Sequence, residues 1–275
     1  MGLLADMAVS SAQRSREARA VLGEAELRAH CATLPPVPRL SLSATGFDLI
    51  AEFKLRSPSL GDLSAETADP VARLRGYAEG GAAICSVLTE PSRFDGRLEH
   101  LRVAAAALAP LGVPAMRKDF LVDPYQVLEA RAHGAAGVLL IVRLVERAQL
   151  VALLDEAADQ GLFALLEAFD ADDLRVAAAL VEQRRGRDEQ LLLGLNCRDL
   201  ESLEIDFERF ARLRALLPDA WPAVAESGVS SLGDAARVAA LGYRLALVGT
   251  TLMRSADPAQ GVRDLLRAGR EAARR

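Results

Sequence analysis

Short aliphatic runs alternate with longer amphipathic segments along most of this chain. From Asp48 onward the apolar runs have strand length, and the segments between them repeat with the helical period. This pattern is typical of repeated βα units around a parallel sheet. Eight runs are predicted to be strands, at residues 49–53, 83–88, 113–117, 137–141, 163–167, 191–195, 223–226 and 245–248.

Six segments between these runs are predicted to be helices, several with Pro, Asp or Ser near their starts. They are residues 70–79, 123–132, 147–159, 171–183, 207–216 and 232–240. Eight βα units predict an α/β fold, a (β/α)8 TIM barrel, over residues 48–275. An open doubly wound sheet remains an alternative, although neither a GxGxxG nor a GxxxxGK[ST] nucleotide motif is found.

The first 47 residues do not follow the repeat. A helix is predicted at residues 3–22, and Pro35, Pro36 and Pro38 then predict an extended connector. We therefore expect residues 1–47 to form an N-terminal helical extension that packs on the barrel.

Composition narrows the class of partner. The net charge is −5, so no overall positive field favours nucleic acid, and the Arg-rich end at 270–275 is interpreted as a solvated helix terminus. No apolar stretch approaches the ~18 residues that span a bilayer, so no membrane partner is expected. Cys31, Cys85 and Cys197 have no CxxC spacing, which favours a reducing compartment, and the cytoplasm is the expected location.

Charged and amide side chains close several of the predicted strands. In a βα barrel the chemistry lies where strands end, and Glu52 and Lys54, two residues apart on one strand, point to the same face. A single charged residue at a strand end would be an ordinary solvated surface residue. Five strands that end in charged or amide residues, with both signs of charge, indicate acid–base chemistry. The candidate catalytic residues are Glu52, Lys54, Lys118, Glu167, Asn196 and Glu226.

Small residues follow the last two strands, with Ser227 and Gly228 after the seventh and Gly249 and Thr250 after the eighth. Small residues let backbone N–H groups approach a ligand, and this end of a barrel is the usual phosphate site. The sequence therefore predicts a phosphate-bearing substrate. The alternative is that these glycines only make tight turns.

Five blocks of the sequence resemble the signature of the indole-3-glycerol-phosphate synthase family, in order and in spacing. They are EFKLRSPS at 52–59, SVLTEP at 86–91, RKDF at 117–120, NCRDL at 196–200 and AESG at 225–228. The resemblance runs from about residue 49 to residue 254, and an extra N-terminal segment is also a family feature. It implies decarboxylating ring closure of 1-(2-carboxyphenylamino)-1-deoxyribulose 5-phosphate in tryptophan biosynthesis, by a carbon–carbon lyase.

The resemblance also implies roles for the residues that match. Lys118 would be the general acid that protonates the substrate carbonyl oxygen, Lys54 would hold the anthranilate carboxylate, and Glu167 would serve the dehydration step. The remaining matches are Glu52, Asn196 and Glu226 for positioning the sugar hydroxyls, Ser57, Ser227, Gly228, Gly249 and Thr250 for phosphate, Arg198 for supporting the charges, and Phe94 and Phe120 as apolar walls.

The chemistry needs an acid, an acid–base residue and a dry pocket, and it needs no metal or cofactor. A lysine that donates at neutral pH should have a lowered pKa, and we expect Lys54 to lower the pKa of Lys118 as a neighbouring cation. His30, His100 and His133 fall on predicted helices, away from the strand ends, which disfavours histidine-based or zinc chemistry.

Three positions depart from the family pattern. Ala168-Phe169 follows Glu167 where Val-His is usual, Thr250-Thr251 stands where Glu-Ser is common, and Leu60 replaces a usual Lys. These departures keep a paralogue of a specialised pathway as an alternative, beside another phosphate-binding barrel isomerase or a barrel that has lost turnover. We expect a monomer or weak homodimer that binds a small sugar phosphate.

Overall fold

The computed structural model describes residues 2–44, 46–57, 61–63, 69–200 and 202–274. Pro58, Ser59 and Leu60, which belong to the first sequence block and its flank, lie outside the described residues, as does Arg275. None of the described helices is long and apolar enough to cross a lipid bilayer.

Eight parallel strands close into a barrel, in which the last strand pairs with the first. This confirms the predicted fold, and the open sheet is excluded. The strands are β1 Asp48–Phe53, β2 Ile84–Leu88, β3 Ala115–Lys118, β4 Gly137–Ile141, β5 Phe163–Ala168, β6 Leu191–Asn196, β7 Ala223–Glu226 and β8 Leu245–Val248. They differ from the predicted runs only at their ends, and a small antiparallel pair, Arg56–Ser57 with Gly61–Asp62, follows β1.

Twelve α-helices are found among the described residues. Most predicted segments are present, although residues 207–216 form a short helix followed by a 3₁₀ turn, Arg214–Leu216. The helices are α1 Leu3–Val21, α2 Glu24–Thr33, α3 Pro70–Glu79, α4 Pro91–Phe94, α5 Leu98–Leu108, α6 Pro124–Ala132, α7 Arg147–Asp159, α8 Ala171–Gln183, α9 Arg209–Leu213, α10 Leu232–Ala240, α11 Thr250–Met253 and α12 Pro258–Ala273.

Helix entry follows the local sequence. Asp69, Asp123 and Asp170 each accept a backbone N–H bond in the first turn of the helix that follows, which satisfies donors that have no partner within the helix. The predicted N-terminal helix is α1. A second helix, α2, follows it and packs through Leu27 and Cys31 on α6.

The barrel interior is apolar below its upper end. The buried residues there are Ile50, Ile84, Met116, Phe163, Leu165, Leu192, Val224 and Leu245. Each lies before the carboxyl end of its own strand, so this core closes the barrel from below. Polar chemistry is thereby confined to the mouth at the carboxyl ends of the strands.

Candidate active site

Four charged side chains come from alternate strands of the barrel: Glu52 from β1, Lys118 from β3, Glu167 from β5 and Glu226 from β7. In a (β/α)8 barrel, inward side chains from alternate strands form one layer. The Nζ atom of Lys118 lies 3.5 Å from Oε1 of Glu167 and 3.8 Å from Oε2 of Glu226. We call these four residues the charged layer.

The surroundings of Lys118 raise its pKa, which makes the predicted lowering wrong. Burial alone would lower the pKa of Lys118, but the carboxylates of Glu167, Glu226 and Glu52 outweigh burial and hold it well above its usual range. The neighbouring lysine does not supply the expected repulsion, because Lys54 Nζ is bound to Glu52 Oε1 at 2.6 Å. Lys118 is therefore protonated at neutral pH in the free protein.

Two carboxyl groups of the charged layer, those of Glu52 and Glu226, have pKa values shifted in opposite directions. Burial would raise the pKa of Glu52, but Lys54 and Lys118 hold it below the usual value. Burial and the facing carboxylate of Glu167 raise the pKa of Glu226 well above the usual value, against the smaller effect of Lys118. Among the described residues, neither oxygen of Glu226 finds a hydrogen-bond donor.

Asn196, at the end of β6, fixes one of these carboxylates. Its Nδ2 donates to Glu167 Oε1 at 2.7 Å, and its Oδ1 accepts the backbone N–H of Arg198 at 2.9 Å. The Arg198 guanidinium donates to the Leu203 carbonyl at 2.8 Å. Arg198 thus braces the loop that follows β6, and Asn196 orients Glu167.

All six predicted catalytic residues line a cavity of about 590 Å³ at the mouth of the barrel. The predicted binding residues Ser57, Phe94, Phe120, Arg198, Ser227, Gly228, Gly249 and Thr250 line the same cavity. Among the described residues, no group of His, Cys, Asp and Glu has an arrangement suited to a metal ion.

One wall of the cavity is aromatic. The rings of Phe94 and Phe120 lie 6.3 Å apart, tilted by 39°. Phe169 extends this wall, with the Arg143 guanidinium 5.3 Å from its ring centre and its backbone N–H bound to Asp173 Oδ2 at 2.9 Å. In the sequence, Phe169 stands out only as a departure from the family pattern. Its position directly after the strand that carries Glu167 was the signal that placed it at the mouth.

The opposite side of the cavity is built from turns. Ser227 and Gly228 both have left-handed backbones, with φ of 65° and 72°, which is uncommon for a residue with a side chain such as serine. Gly249 serves a second purpose: a Cβ there would lie 2.4 Å from Glu52 Oε1 and 2.8 Å from Lys54 Nζ. The glycine therefore leaves the space that the Glu52–Lys54 pair occupies.

Residues 7–265 match the family model of indole-3-glycerol phosphate synthase. The chain belongs to this family. It is 41% identical over 268 residues to the indole-3-glycerol phosphate synthase of Mycobacterium avium, covering 98% of this chain and 92% of that protein. The indole-3-glycerol phosphate synthase of a Nocardioides species is 42% identical over 265 residues, covering 96% of this chain and 97% of that protein.

This membership confirms the predicted family and the predicted enzyme class, a carbon–carbon lyase of tryptophan biosynthesis. It also excludes the alternative of a different family of phosphate-binding isomerases. Among solved structures, 3-hexulose-6-phosphate synthase from Salmonella typhimurium is similar with a TM-score of 0.62 at 15% identity, covering 80% of this chain and 97% of that chain. Thiamine phosphate pyrophosphorylase from Pyrococcus furiosus has a TM-score of 0.58 at 16% identity, covering 83% and 97%, and both likenesses concern the barrel fold alone.

Proposed function

We propose that this protein converts 1-(2-carboxyphenylamino)-1-deoxyribulose 5-phosphate to indole-3-glycerol phosphate, carbon dioxide and water, with the charged layer as its catalytic centre. The observation that carries the proposal is the placement of Lys118, whose ammonium lies within 3.8 Å of two buried carboxyl groups at the floor of an aromatic-walled cavity. A fixed cation in a dry site stabilises charge that develops on a carbonyl oxygen.

In ring closure, the ring carbon that bears the carboxylate attacks the ketone carbon of the sugar. The carbonyl π electrons move to oxygen, and Lys118 donates a proton to that oxygen. The high pKa of Lys118 keeps it protonated before each turnover, and the proton that it gives up is replaced from solvent, because the overall reaction consumes one proton. Loss of carbon dioxide then leaves its bonding electrons on the ring and restores aromaticity.

Dehydration completes the indole. The new hydroxyl leaves as water after it accepts a proton, and a proton leaves the sugar carbon next to nitrogen. We assign this acid–base work to Glu167, since Asn196 fixes one of its oxygens at 2.7 Å and Lys118 neighbours the same atom. Lys54, held by Glu52, would bind the anthranilate carboxylate before it is lost.

The two ends of the substrate match the two sides of the cavity. Phe94 and Phe120 supply apolar surface for the aromatic ring. The phosphate would bind at the turn side, where successive left-handed residues turn their backbone N–H groups into a concave anion site. The residues proposed there are Ser57, Ser227, Gly228, Gly249 and Thr250. We further propose that the protein acts in the cytoplasm as a monomer or weak homodimer.

The test is incubation of the purified protein with 1-(2-carboxyphenylamino)-1-deoxyribulose 5-phosphate while indole absorbance and released carbon dioxide are followed. Both products should appear in equal amounts, and Lys118→Ala should abolish both. A panel of substrates with substituted rings addresses the specialised-paralogue alternative. If a substituted ring reacts much faster than the parent, the natural substrate is not the one proposed; if none reacts, the proposed reaction is wrong.

A further inference from the structure

Gly194, in the middle of β6, faces the barrel interior beneath the charged layer. A Cβ at this position would lie 2.0 Å from Glu226 Oε1 and 3.1 Å from Leu165 Cδ1, and no real Cβ approaches an oxygen so closely. The carboxyl of Glu226 therefore fills the space that a side chain at Gly194 would occupy. On the paired strand, Glu226 is aligned with Asn196, two residues beyond Gly194, so its side chain reaches down into the barrel to fill this space.

In that position Glu226 faces charged groups from three other strands. Lys118 on β3 lies 3.8 Å away, and Glu167 on β5 and Glu52 on β1 both act on it electrostatically. Glu226 is 1% exposed, and no described residue donates a hydrogen bond to either of its oxygens. Burial and the Glu167 carboxylate outweigh the nearby Lys118 and raise the pKa of Glu226 well above its usual value, so Glu226 holds a proton beside Glu167.

We propose that Gly194 is a positioning residue of the active site, because the space it leaves holds Glu226 against Glu167 so that the two carboxyl groups share one proton. The role rests on the proposed function of Glu167. A protonated Glu226 can donate its hydrogen to the Glu167 carboxylate, and it can resupply a proton that Glu167 gives up during dehydration. The active form then carries this shared proton and is lost at alkaline pH when the proton leaves.

The first test compares two glycine substitutions inside the barrel. In Gly194→Ala the added methyl forces the Glu226 carboxyl away from Glu167, so the shared proton should be lost at lower pH. In a plot of kcat against pH, we expect the alkaline limb to move to lower pH by about one unit or more. At a pH above that limb, kcat should then be about tenfold lower, because the protonated fraction changes tenfold per pH unit. Gly137→Ala is the matched control: its Cβ would lie 2.3 Å from the Phe163 ring, below the charged layer, so it should lower Tm and keep the parental limb.

A second pair of variants separates packing from proton placement. Glu226→Asp withdraws the carboxyl without adding an atom, and should shift the limb even if Gly194→Ala does not fold. In Gly194→Ala with Glu226→Asp, the added methyl replaces the removed methylene, so Tm should recover while the limb stays shifted. If the limb returns together with Tm, Gly194 has only a packing role and the proposal is wrong.

Infrared spectroscopy of the free enzyme gives a readout that does not need turnover. The wild type should show the C=O stretch of a buried carboxylic acid at neutral pH, lost in Glu226→Gln and weakened in Gly194→Ala. Absence of that band from the wild type, or its persistence unchanged in Gly194→Ala, would overturn the proposal. An inactive wild type that shows the band would refute the proposed function while leaving the shared proton in place.

Discussion

Arg14 of α1 donates two hydrogen bonds to the Asp119 carboxylate, at 3.0 and 2.8 Å, and Asp119 directly follows Lys118 in the chain. The same carboxylate accepts hydrogen bonds from Thr89 at 2.7 Å and from Arg117 at 3.1 Å. The N-terminal extension is thus fastened to the segment that carries the proposed acid. Loss of the Arg14–Asp119 contact should therefore lower both the free energy of unfolding and kcat.

Replacement of this arginine by methionine, Arg14→Met, is expected to destabilise the protein by about 2–3 kcal/mol. Breaking a buried ion pair costs about 3–5 kcal/mol. The cost should be smaller here, because Asp119 keeps Arg117 and Thr89 as hydrogen-bond partners. Burial alone would raise the pKa of Asp119, but Arg117 and Arg14 hold it well below the usual range. Denaturant unfolding followed by circular dichroism measures the loss, and kcat should fall as the segment loosens.

The matched control is Arg19→Met, because Arg19 binds Asp123 at 2.7 Å from the same helix but with both side chains more exposed. We expect it to cost less than about 1 kcal/mol. The ionised Asp119 carboxylate stabilises the folded protein. This stabilisation is complete above the pKa that Asp119 has in the unfolded chain, and it is lost as the pH falls through the lower pKa that Asp119 has in the folded protein. The free-energy cost of Arg14→Met should therefore shrink below about pH 4. Equal, pH-independent costs for both variants would contradict this account.

The sequence was sufficient for the fold and for the ring of charges. The apolar runs of strand length predicted all eight strands, and the rule that barrel chemistry lies at strand ends selected Glu52, Lys118, Glu167 and Glu226. The state of Lys118 could not be predicted, because it depends on which carboxylates face it across the closed barrel.

Other contributions depend on contacts that no local pattern encodes. Arg14 lies 105 positions from Asp119, and nothing near Arg14 in the chain predicts the pairing. Gly194 and Gly249 act through the space they leave for side chains of other strands, which is visible only once the barrel is closed. From the sequence, Gly249 is predicted only to bind phosphate, and no local pattern marks Gly194.

The two lysines of the site should separate kinetically. Lys118→Ala removes the group that stabilises charge on the carbonyl oxygen, so kcat should fall by at least the 10²–10⁴-fold typical of a general acid. Lys54→Ala removes a grip on the substrate carboxylate in both ground and transition states, so its loss should appear mainly in KM. Steady-state kinetics beside titration with a substrate analogue measures both effects.

Folding of both lysine variants is checked by circular dichroism, and analogue binding should survive better in Lys118→Ala than in Lys54→Ala. A near-parental kcat in Lys118→Ala would mean that the acid is misassigned. Two fully active variants would refute the proposed catalytic centre.

Phe169 is expected to set the fit of the aromatic ring. Phe169→Leu keeps an apolar side chain but removes the flat surface beneath Arg143, so KM should rise several-fold with little change in kcat. Phe210→Leu is the control, since Phe210 is fully buried against Tyr243 and does not line the cavity. It should lower Tm and leave KM unchanged. If Phe169→Leu has the same KM as the parent, the aromatic ring of the substrate does not bind against Phe169.

Gly249→Ala should disrupt the Glu52–Lys54 pair, because the new methyl group would lie 2.4 Å from the carboxylate and 2.8 Å from the ammonium. Lys54 then loses its position, and KM should rise about tenfold or more, as for loss of a charged hydrogen bond. Glu52 also loses a cation that lowers its pKa against the effect of burial. Its pKa should therefore rise, and the acid limb of kcat/KM should move to higher pH.

The pH profile distinguishes this effect from a simple loss of phosphate binding at Gly249, which would raise KM and weaken inhibition by inorganic phosphate without moving the acid limb. Gly233→Ala in α10 is the control, because its nearest neighbour would be Ser231 Oγ at an ordinary 3.6 Å. That variant should keep parental kinetics and gain about 0.5–1 kcal/mol of stability from the better helix former. A parental acid limb in Gly249→Ala would show that the Glu52–Lys54 pair does not depend on the space at Gly249.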